Sequence, residues 1–216
     1  MPILLVVLFS FLLAGPVYAK GCDGIKADLP NIEVKLVKKE IEFSHNISAQ
    51  QLTASHNGNL GAHEANNGRT EHKLNTNSLT SVKNFMHNNN KICTVLHKID
   101  ITVSQSLIVH IASNYEKDSC PYIAVMNHEL EHVAINNKHV NNYVASIKSE
   151  LIKIWDLMPP HPLMDDKRFN HVVSTRLTAL QEKFMAEAKL DNLIIDTPGS
   201  YASVHKKCKN WPQIKK

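Results

Sequence analysis

The sequence predicts an α+β fold, in which a small antiparallel or mixed sheet is followed by two long helices. Two observations predict it. Segments rich in β-branched residues lie before about residue 112, whereas Pro121–Trp155 and Asp166–Leu190 have the residue preferences and apolar spacing of helices. The prolines between residues 159 and 162 separate the two helices, because proline cannot continue a helix.

The sheet is expected from three apolar segments. Ile32–Val37 alternates apolar and charged side chains, as a half-buried strand does. Ile92–Val103 and Leu107–Ile111 are rich in β-branched residues. The residues between them, Ser104-Gln105-Ser106, predict a turn that would join the two as an antiparallel hairpin.

Shorter elements are expected in the remaining segments. Ser48–Ala54 predicts a short helix with Ser48 as its N-cap. The stretch 56–90 is rich in Asn, Gly, His and Ser, which predicts loop or irregular strand, with Thr70–Leu74 as one strand within it. A final short helix is expected over Tyr201–Cys208.

The first 19 residues have the composition of a secretory signal. The apolar run Ile3–Leu13 is followed by Val17-Tyr18-Ala19, which predicts cleavage before Lys20. This run is shorter than the ~18 apolar residues of a membrane helix, and no later segment reaches that length. We therefore expect one domain over residues 20–216, located in the periplasm or outside the cell and not inserted in the membrane.

Charge and cysteine content narrow the class of protein. The net charge is +4, and no basic segment interleaved with aromatic residues indicates nucleic-acid binding. Four cysteines (Cys22, Cys93, Cys120 and Cys208) in an exported chain predict two disulfides and no free thiol. Three pairings are open, and the absence of a C-x-x-C motif disfavours a zinc site made of cysteines.

The first long helix carries His128-Glu129-Leu130-Glu131-His132, which reads H-E-x-x-H. Residues four apart share a helix face, so His128 and His132 can bind one metal ion. Glu129 flanks that face and can take a proton from water that the metal activates. The segment predicts a Zn²⁺ site with two histidine ligands and Glu129 as the catalytic base.

This motif resembles that of the zincin metallopeptidases. The wider segment from Cys120-Pro121-Tyr122 to His132, preceded by the β-rich stretch that opens at Cys93, is similar to a bacterial family of secreted, zinc-protease-like proteins of unassigned function. The resemblance covers about residues 30 to 208. It implies a zincin-like α+β fold and hydrolysis of a peptide or protein substrate, but it identifies no particular substrate.

Zinc also needs a third protein ligand. His139 shares the face of His132 but lies about 10 Å further along the helix axis. Glu187-Ala188-Lys189-Leu190-Asp191 reads E-x-x-x-D, which resembles the gluzincin pattern of a zinc-binding Glu and an Asp that orients a ligand histidine. Glu187 is therefore the expected third ligand. The alternatives are His139, His171 and His205, with His161 less favoured.

Three functions remain open from the sequence. The leading one is an exported zinc-dependent peptidase, in which Tyr143, Tyr201 or His205 could stabilise the oxyanion. The second is a non-catalytic zincin-like protein that uses a metal for binding or stability. The third is an envelope interaction protein in which the motif has no metal-binding role.

Overall fold

A computed structural model describes residues 22, 25, 28–54, 66–87, 90–155, 160–162 and 164–212. These residues form four strands and four helices. In chain order they are β1 (Asn31–Lys38), β2 (Glu42–Ser44), α1 (Ala49–Ala54), β3 (Gly68–His87), β4 (Lys91–Ile111), α2 (Cys120–Trp155), α3 (Asp166–Ile195) and α4 (Pro198–Lys206). The α+β class predicted from the sequence is confirmed.

Strand β4 is the centre of the sheet. β3 pairs with it antiparallel over its whole length, with a register irregularity between Ser81 and Val82. Because β3 occupies one edge of β4, the two remaining strands share the other edge, where both run parallel to β4. The sheet is therefore mixed, and two of its three pairings are parallel.

The structure corrects two expectations about the strands. Ser104, Gln105 and Ser106 form no turn and lie inside β4, paired with β3. The two serines take alternate positions of that strand, and the buried Gln105 between them contacts His72. The stretch predicted to be mostly irregular contains the 20-residue β3. Its strand pattern is weak in sequence because its inward positions are filled by polar residues such as Thr76, Ser78 and Thr80.

Those inward polar residues of β3 are satisfied by the helices. Thr76 bonds to Gln181 at 2.7 Å, and Ser78 bonds to Asn170 at 3.0 Å. The Thr80 hydroxyl donates to the backbone oxygen of Asp166. Hydroxyls of short side chains thus replace apolar packing along the edge strand, because each of these three hydroxyls has a hydrogen-bond partner on α3.

The long helices agree with the predicted ones, with small differences at their ends. α2 runs without a break through Asn136, whose side chain is buried and accepts a hydrogen bond from Asn192. α3 continues past Leu190 to Ile195. In α1, Ser48 and Gln51 each accept the other's backbone N–H, so Ser48 is the N-cap as expected. α4 begins three residues earlier than predicted, at Pro198 rather than Tyr201.

One face of the sheet packs on α2 and α3. The larger core cluster joins β4 to the two helices through Ile99, Ile101, Val103, Tyr143, Ile147, Leu151, Phe169, Val173, Leu177 and Leu180. A second cluster joins the end of β4 to α1 and to the first half of α2. It contains Val125 and Val133, which flank the H-E-x-x-H residues and fix that part of α2 against the sheet.

Both expected disulfides are present, as Cys22–Cys93 and Cys120–Cys208, and no cysteine is free. The second bond fastens the chain after α4 to the start of α2. Among the described residues, no helix is long and apolar enough to cross a membrane. The predicted leader, residues 1–19, lies outside the described residues.

Replacement of Phe169 by alanine tests the packing of α3 on the sheet. Phe169 is fully buried, and a Phe→Ala change in a core removes about 3–5 kcal/mol from the free energy of unfolding. Leu190→Ala on the same helix is the control, because Leu190 is exposed and its loss should change stability by no more than about 0.5 kcal/mol. Urea unfolding measures both, and equal effects would contradict the described packing.

Candidate metal site

Two imidazoles and one carboxylate converge where α2 meets the end of α3. His128 and His132 are both buried, and their ring centroids are 4.9 Å apart. Their Nε2 atoms lie 3.2 Å and 3.0 Å from the same oxygen, Oδ1 of Asp196. One potential ligand atom from each of the three residues lies within 4.8 Å of the other two. The group could therefore hold a metal ion.

Asp196 is the C-cap of α3, next to the turn that leads into α4. A carboxylate is unfavourable at a helix C-terminus, because the helix dipole is negative there. Three donors offset this: the two histidines and the hydroxyl of Tyr201, which donates to Oδ1 at 3.0 Å. The position of Asp196 is therefore held by contacts from α2 and α4 as well as by its own helix.

Asn192 orients the second imidazole. Its Oδ1 lies 2.8 Å from Nδ1 of His132, and its Nδ2 donates to Asn136. The bond to Asn136 points the amide oxygen of Asn192 at His132, so the ring keeps a proton on Nδ1. Nε2, which donates to Asp196 in this structure, would bind a cation after losing its proton, and a second ring nitrogen held by a hydrogen bond is common in protein metal sites.

Glu129 lies beside this group and is only 4% exposed. The hydroxyl of Thr70, on β3, donates to Oε2 of Glu129 at 2.9 Å and lies 3.1 Å from its backbone oxygen. Gly68 makes this close approach of β3 and α2 feasible. A Cβ at position 68 would lie 2.6 Å from both Oε1 of Glu129 and Cγ1 of Val125, closer than non-bonded atoms pack.

The charges of the site are strongly coupled. Burial lowers the pKa of His132, but the hydrogen bond to Asp196 and the charge of Glu129 outweigh it and raise the pKa to about 9. Burial acts to raise the pKa of Asp196, whereas its bonds to His128 and His132 move it well below the ordinary value. Burial raises the pKa of Glu129, and His132 and Thr70 offset this only in part. These shifts correspond to a protonated His132 beside an ionised Asp196.

A cavity of about 280 Å³ opens beside the group, between β3, α2 and α3. Asp196 and Thr70 line it, so it is adjacent to both the candidate ligands and the partner of Glu129. His72 and Asn136 form part of its wall. Burial lowers the pKa of His72, and a hydrogen bond with Asn136 opposes this to a smaller extent. The lowered pKa keeps the His72 imidazole neutral at pH 7.

The structure places Glu187, expected as the third ligand, away from His128 and His132. Its Oε2 lies 3.9 Å from Nδ1 of His139, and Asp191 bonds to Nε2 of the same ring at 2.8 Å. α2 and α3 run antiparallel, and His139 lies about 10 Å beyond His132 along α2. Glu187 and Asp191 therefore contact His139. Asp196, the C-cap of α3, contacts His128 and His132.

The other residues considered from the sequence also lie elsewhere. His171 is exposed on α3, and His205 stacks on Trp211 and contacts Asn67. Tyr143 is buried in the larger core cluster, where it contacts Thr76. Of the three suggested oxyanion donors, Tyr201 is the one that touches the group, through Asp196.

Sequence reasoning missed Asp196, Asn192 and Thr70. Asp196 does offer a signal, because an aspartate at the end of a helix with no basic residue in its last turn needs a distant partner. Asn192 and Thr70 carry no such signal. Their roles depend on the packing of α3 and β3 against α2.

The fold and the site together define an α+β protein with a His–His–Asp group suited to a metal ion. Compared with known proteins, the chain matches no family model, no curated protein and no solved structure.

The contact between Gly68 and Glu129 leads to a testable expectation. Gly68→Ala should lower the free energy of unfolding by about 1–3 kcal/mol, because the new methyl group overpacks the junction of β3 and α2. Gly199→Ala is the matched control, since a Cβ there would meet its nearest atom at an ordinary 3.9 Å. Its expected effect is zero or a stabilisation of up to about 1 kcal/mol. Thermal or denaturant unfolding measures both variants. Equal changes in the free energy of unfolding would contradict the close approach of β3 and α2 at Gly68.

Proposed function

We propose that the protein is an exported zinc-dependent peptidase, in which metal-activated water hydrolyses peptide bonds. The observation that carries the proposal is the convergence of His128, His132 and Asp196 beside the buried carboxyl of Glu129. The donors that surround Asp196 and the tether from Thr70 to Glu129 fix the acidic groups on either side of the histidine pair.

The donor set fits zinc. Two imidazole nitrogens and a carboxylate oxygen are a ligand set of catalytic zinc sites, and three protein ligands leave a fourth position open. No thiol competes, because all four cysteines are in disulfides. Asp196 replaces Glu187 as the proposed third ligand, since Oδ1 of Asp196 is already within 3.2 Å of both imidazoles.

Each neighbouring group has a defined part in this proposal. A bound zinc ion would polarise the scissile carbonyl and lower the pKa of a water molecule. In this proposal Glu129 accepts the proton from that water and passes it to the leaving amine. Thr70 holds the Glu129 carboxyl, Asn192 holds the His132 ring and Tyr201 holds Asp196. The adjacent cavity is the place for a substrate residue next to the scissile bond.

Export is part of the same proposal. Two disulfides in a chain of this size are typical of proteins that fold in an oxidising compartment, and the amino-terminal sequence has the pattern of a secretory leader. The periplasm and the extracellular space both meet this condition.

Metal binding without catalysis is the second candidate function. One observation favours it: Glu129 and His128 are each only 4% exposed, so substrate must reach the group through the cavity lined by Asp196 and Thr70. A site that is difficult to reach suits a structural metal as well as a catalytic one.

Metal content separates the candidate ligands. The purified chain should retain one zinc ion after dialysis, measured by mass spectrometry of the metal. His128→Ala with His132→Ala should abolish retention. Asp196→Ala should weaken affinity by more than about 100-fold, since even groups that only orient a ligand contribute about 10–100-fold. Glu187→Ala, on the same helix, should retain the metal. Loss of zinc in Glu187→Ala but not in Asp196→Ala would identify Glu187 as the third ligand. Unchanged zinc content in the double histidine variant would show that His128 and His132 do not bind the metal.

Hydrolysis is tested with Glu129→Gln, which keeps the shape of the side chain but cannot accept the proton from water. We expect zinc content to stay at one ion per chain and cleavage of an unfolded protein substrate to fall by about 10²–10⁴-fold. A chelator should abolish the wild-type activity, and added zinc should restore it. Equal cleavage by the variant would exclude Glu129 as the base. A zinc-loaded wild type that cleaves no member of a diverse peptide library would support metal binding without catalysis.

A further inference from the structure

Large apolar side chains are exposed at the end of the β3–β4 hairpin, here called the hairpin end and comprising residues 82–87 and 90–97. Met86 is 80% exposed and lies directly opposite Ile92, which is 54% exposed. Phe85 is 44% exposed and points to the other face of the hairpin, because side chains alternate along a strand. A cluster of exposed apolar side chains on a soluble domain marks an interaction surface.

The hairpin end projects past the layer of helices. Leu96 is buried in the larger core cluster, with Val82 packed against it. Two residues closer to the tip of the hairpin, the backbone of Thr94 forms hydrogen bonds with the backbone of His161, in the segment between α2 and α3. Beyond this bridge Met86 and Ile92 occupy the same face as Val82 but remain exposed, so the described helices no longer cover the strand pair.

The charge around the hairpin end is positive. The sequence from Leu79 to His97 contains no acidic residue, whereas Lys83 and Lys91 lie next to the apolar side chains. Neither lysine forms an ion pair with a described residue. The nearest acidic side chains on the sheet, Glu33 and Asp100, are both paired with Lys98.

Two acidic side chains at the start of α3 accept backbone N–H groups of their own helix. At the start of α3, Asp165 accepts the backbone N–H of Arg168, and Asp166 accepts that of Lys167. Both carboxylates face the positive end of the α3 dipole. Lys83 and Lys91 are thus exposed cations of the hairpin end that have no ion pair among the described residues.

A disulfide brings the amino-terminal part of the chain to the same place. Cys22 is bonded to Cys93, which lies opposite Phe85 in the hairpin end. The apolar run of the predicted leader ends at Leu13, nine residues before Cys22 (22 − 13 = 9). Nine extended residues span at most about 30 Å. In a chain that still carries the leader, the hairpin end would thus lie within about 30 Å of the apolar run, and the predicted cleavage before Lys20 removes this link.

We propose that the hairpin end docks on an anionic membrane surface. Phe85, Met86 and Ile92 enter the boundary between headgroups and acyl chains, and Lys83 and Lys91 contact the lipid phosphates. Apolar side chains combined with flanking basic residues give this kind of reversible peripheral binding, without a segment that spans the bilayer. This surface is remote from the candidate metal site and does not depend on the proposed function.

Vesicle co-sedimentation tests the proposal. The chain beginning at Lys20 is suitable, because it retains every described residue and both disulfides while lacking the apolar leader, which would bind lipid by itself. Vesicles of phosphatidylcholine with phosphatidylglycerol are compared with vesicles of phosphatidylcholine alone. We expect binding to the anionic vesicles, weaker binding to the neutral ones, and a decrease with added salt as the lysine–phosphate attraction is screened.

Matched variants identify the surface. The combined variant Phe85→Ser, Met86→Ser and Ile92→Ser should lower the partition coefficient about tenfold or more. Lys83→Glu and Lys91→Glu should lower it by about fivefold or more for each lysine. Serine in place of Leu190, Leu193 and Ile194 is the control, since these residues are exposed to a similar extent on α3 and should leave binding unchanged. Unchanged unfolding temperatures confirm that each variant is folded.

Three outcomes would overturn the proposal. The first is no binding of the wild type to anionic vesicles, and the second is equal binding by the hairpin serine variant. The third is loss of binding in the α3 serine variant instead, which would assign the lipid contact to α3. If sedimentation velocity finds a dimer that the hairpin substitutions dissolve, and vesicles are not bound, the hairpin end is a contact between two copies of the chain.

Discussion

The hydrogen bonds of β4 are the constraint on which the described structure depends. Each of the other three described strands pairs with β4, and with no other strand. Its inward residues Ile99, Ile101 and Val103 form the surface on which α2 and α3 pack. Its pairing with β3 sets which residues of that edge strand face the helices. A slip by one residue would turn Thr70 away from Glu129, because adjacent side chains point to opposite faces.

The contact between α2 and α3 is polar near the candidate site. His128 and His132 meet Asp196, Asn136 meets Asn192, and His139 meets Asp191. These ion pairs contribute little net stability, because the carboxylates of Asp196 and Asp191 are 31% and 36% exposed and water screens them. Apolar side chains would hold two helices together at least as well. The two imidazoles directed at one carboxylate oxygen form a group that could hold a metal ion, and this is the arrangement on which the proposed function rests.

The sequence predicted those features that depend on local patterns. The two long helices, the shared face of His128 and His132, and the number of disulfides follow from spacing and composition. Features that depend on how distant segments pack did not follow. Strand β3 was obscured because hydroxyls that bond to α3 fill its inward positions, and the cysteine pairing requires the positions of four distant segments.

The third candidate ligand shows the same limit of prediction from the sequence. Glu187 and Asp191 were placed correctly on a helix, but which carboxylate meets His132 depends on the offset between two antiparallel helices. That offset is set by core residues such as Phe169 and Leu177, which lie far from the site in the chain. A pattern of residue types along one helix contains no information about it.

The unbroken length of β3 has a further consequence. Thr70, which contacts Glu129, and Phe85, at the hairpin end, are fifteen positions apart in one continuous strand (85 − 70 = 15). At about 3.3 Å per residue this separates them by up to about 50 Å. The strand therefore sets an upper limit to the distance between the candidate metal site and the hairpin end. Under the two proposals together, a molecule docked through its hairpin end would hold the candidate site away from the lipid, and its peptide targets would extend up to several nanometres from the membrane surface.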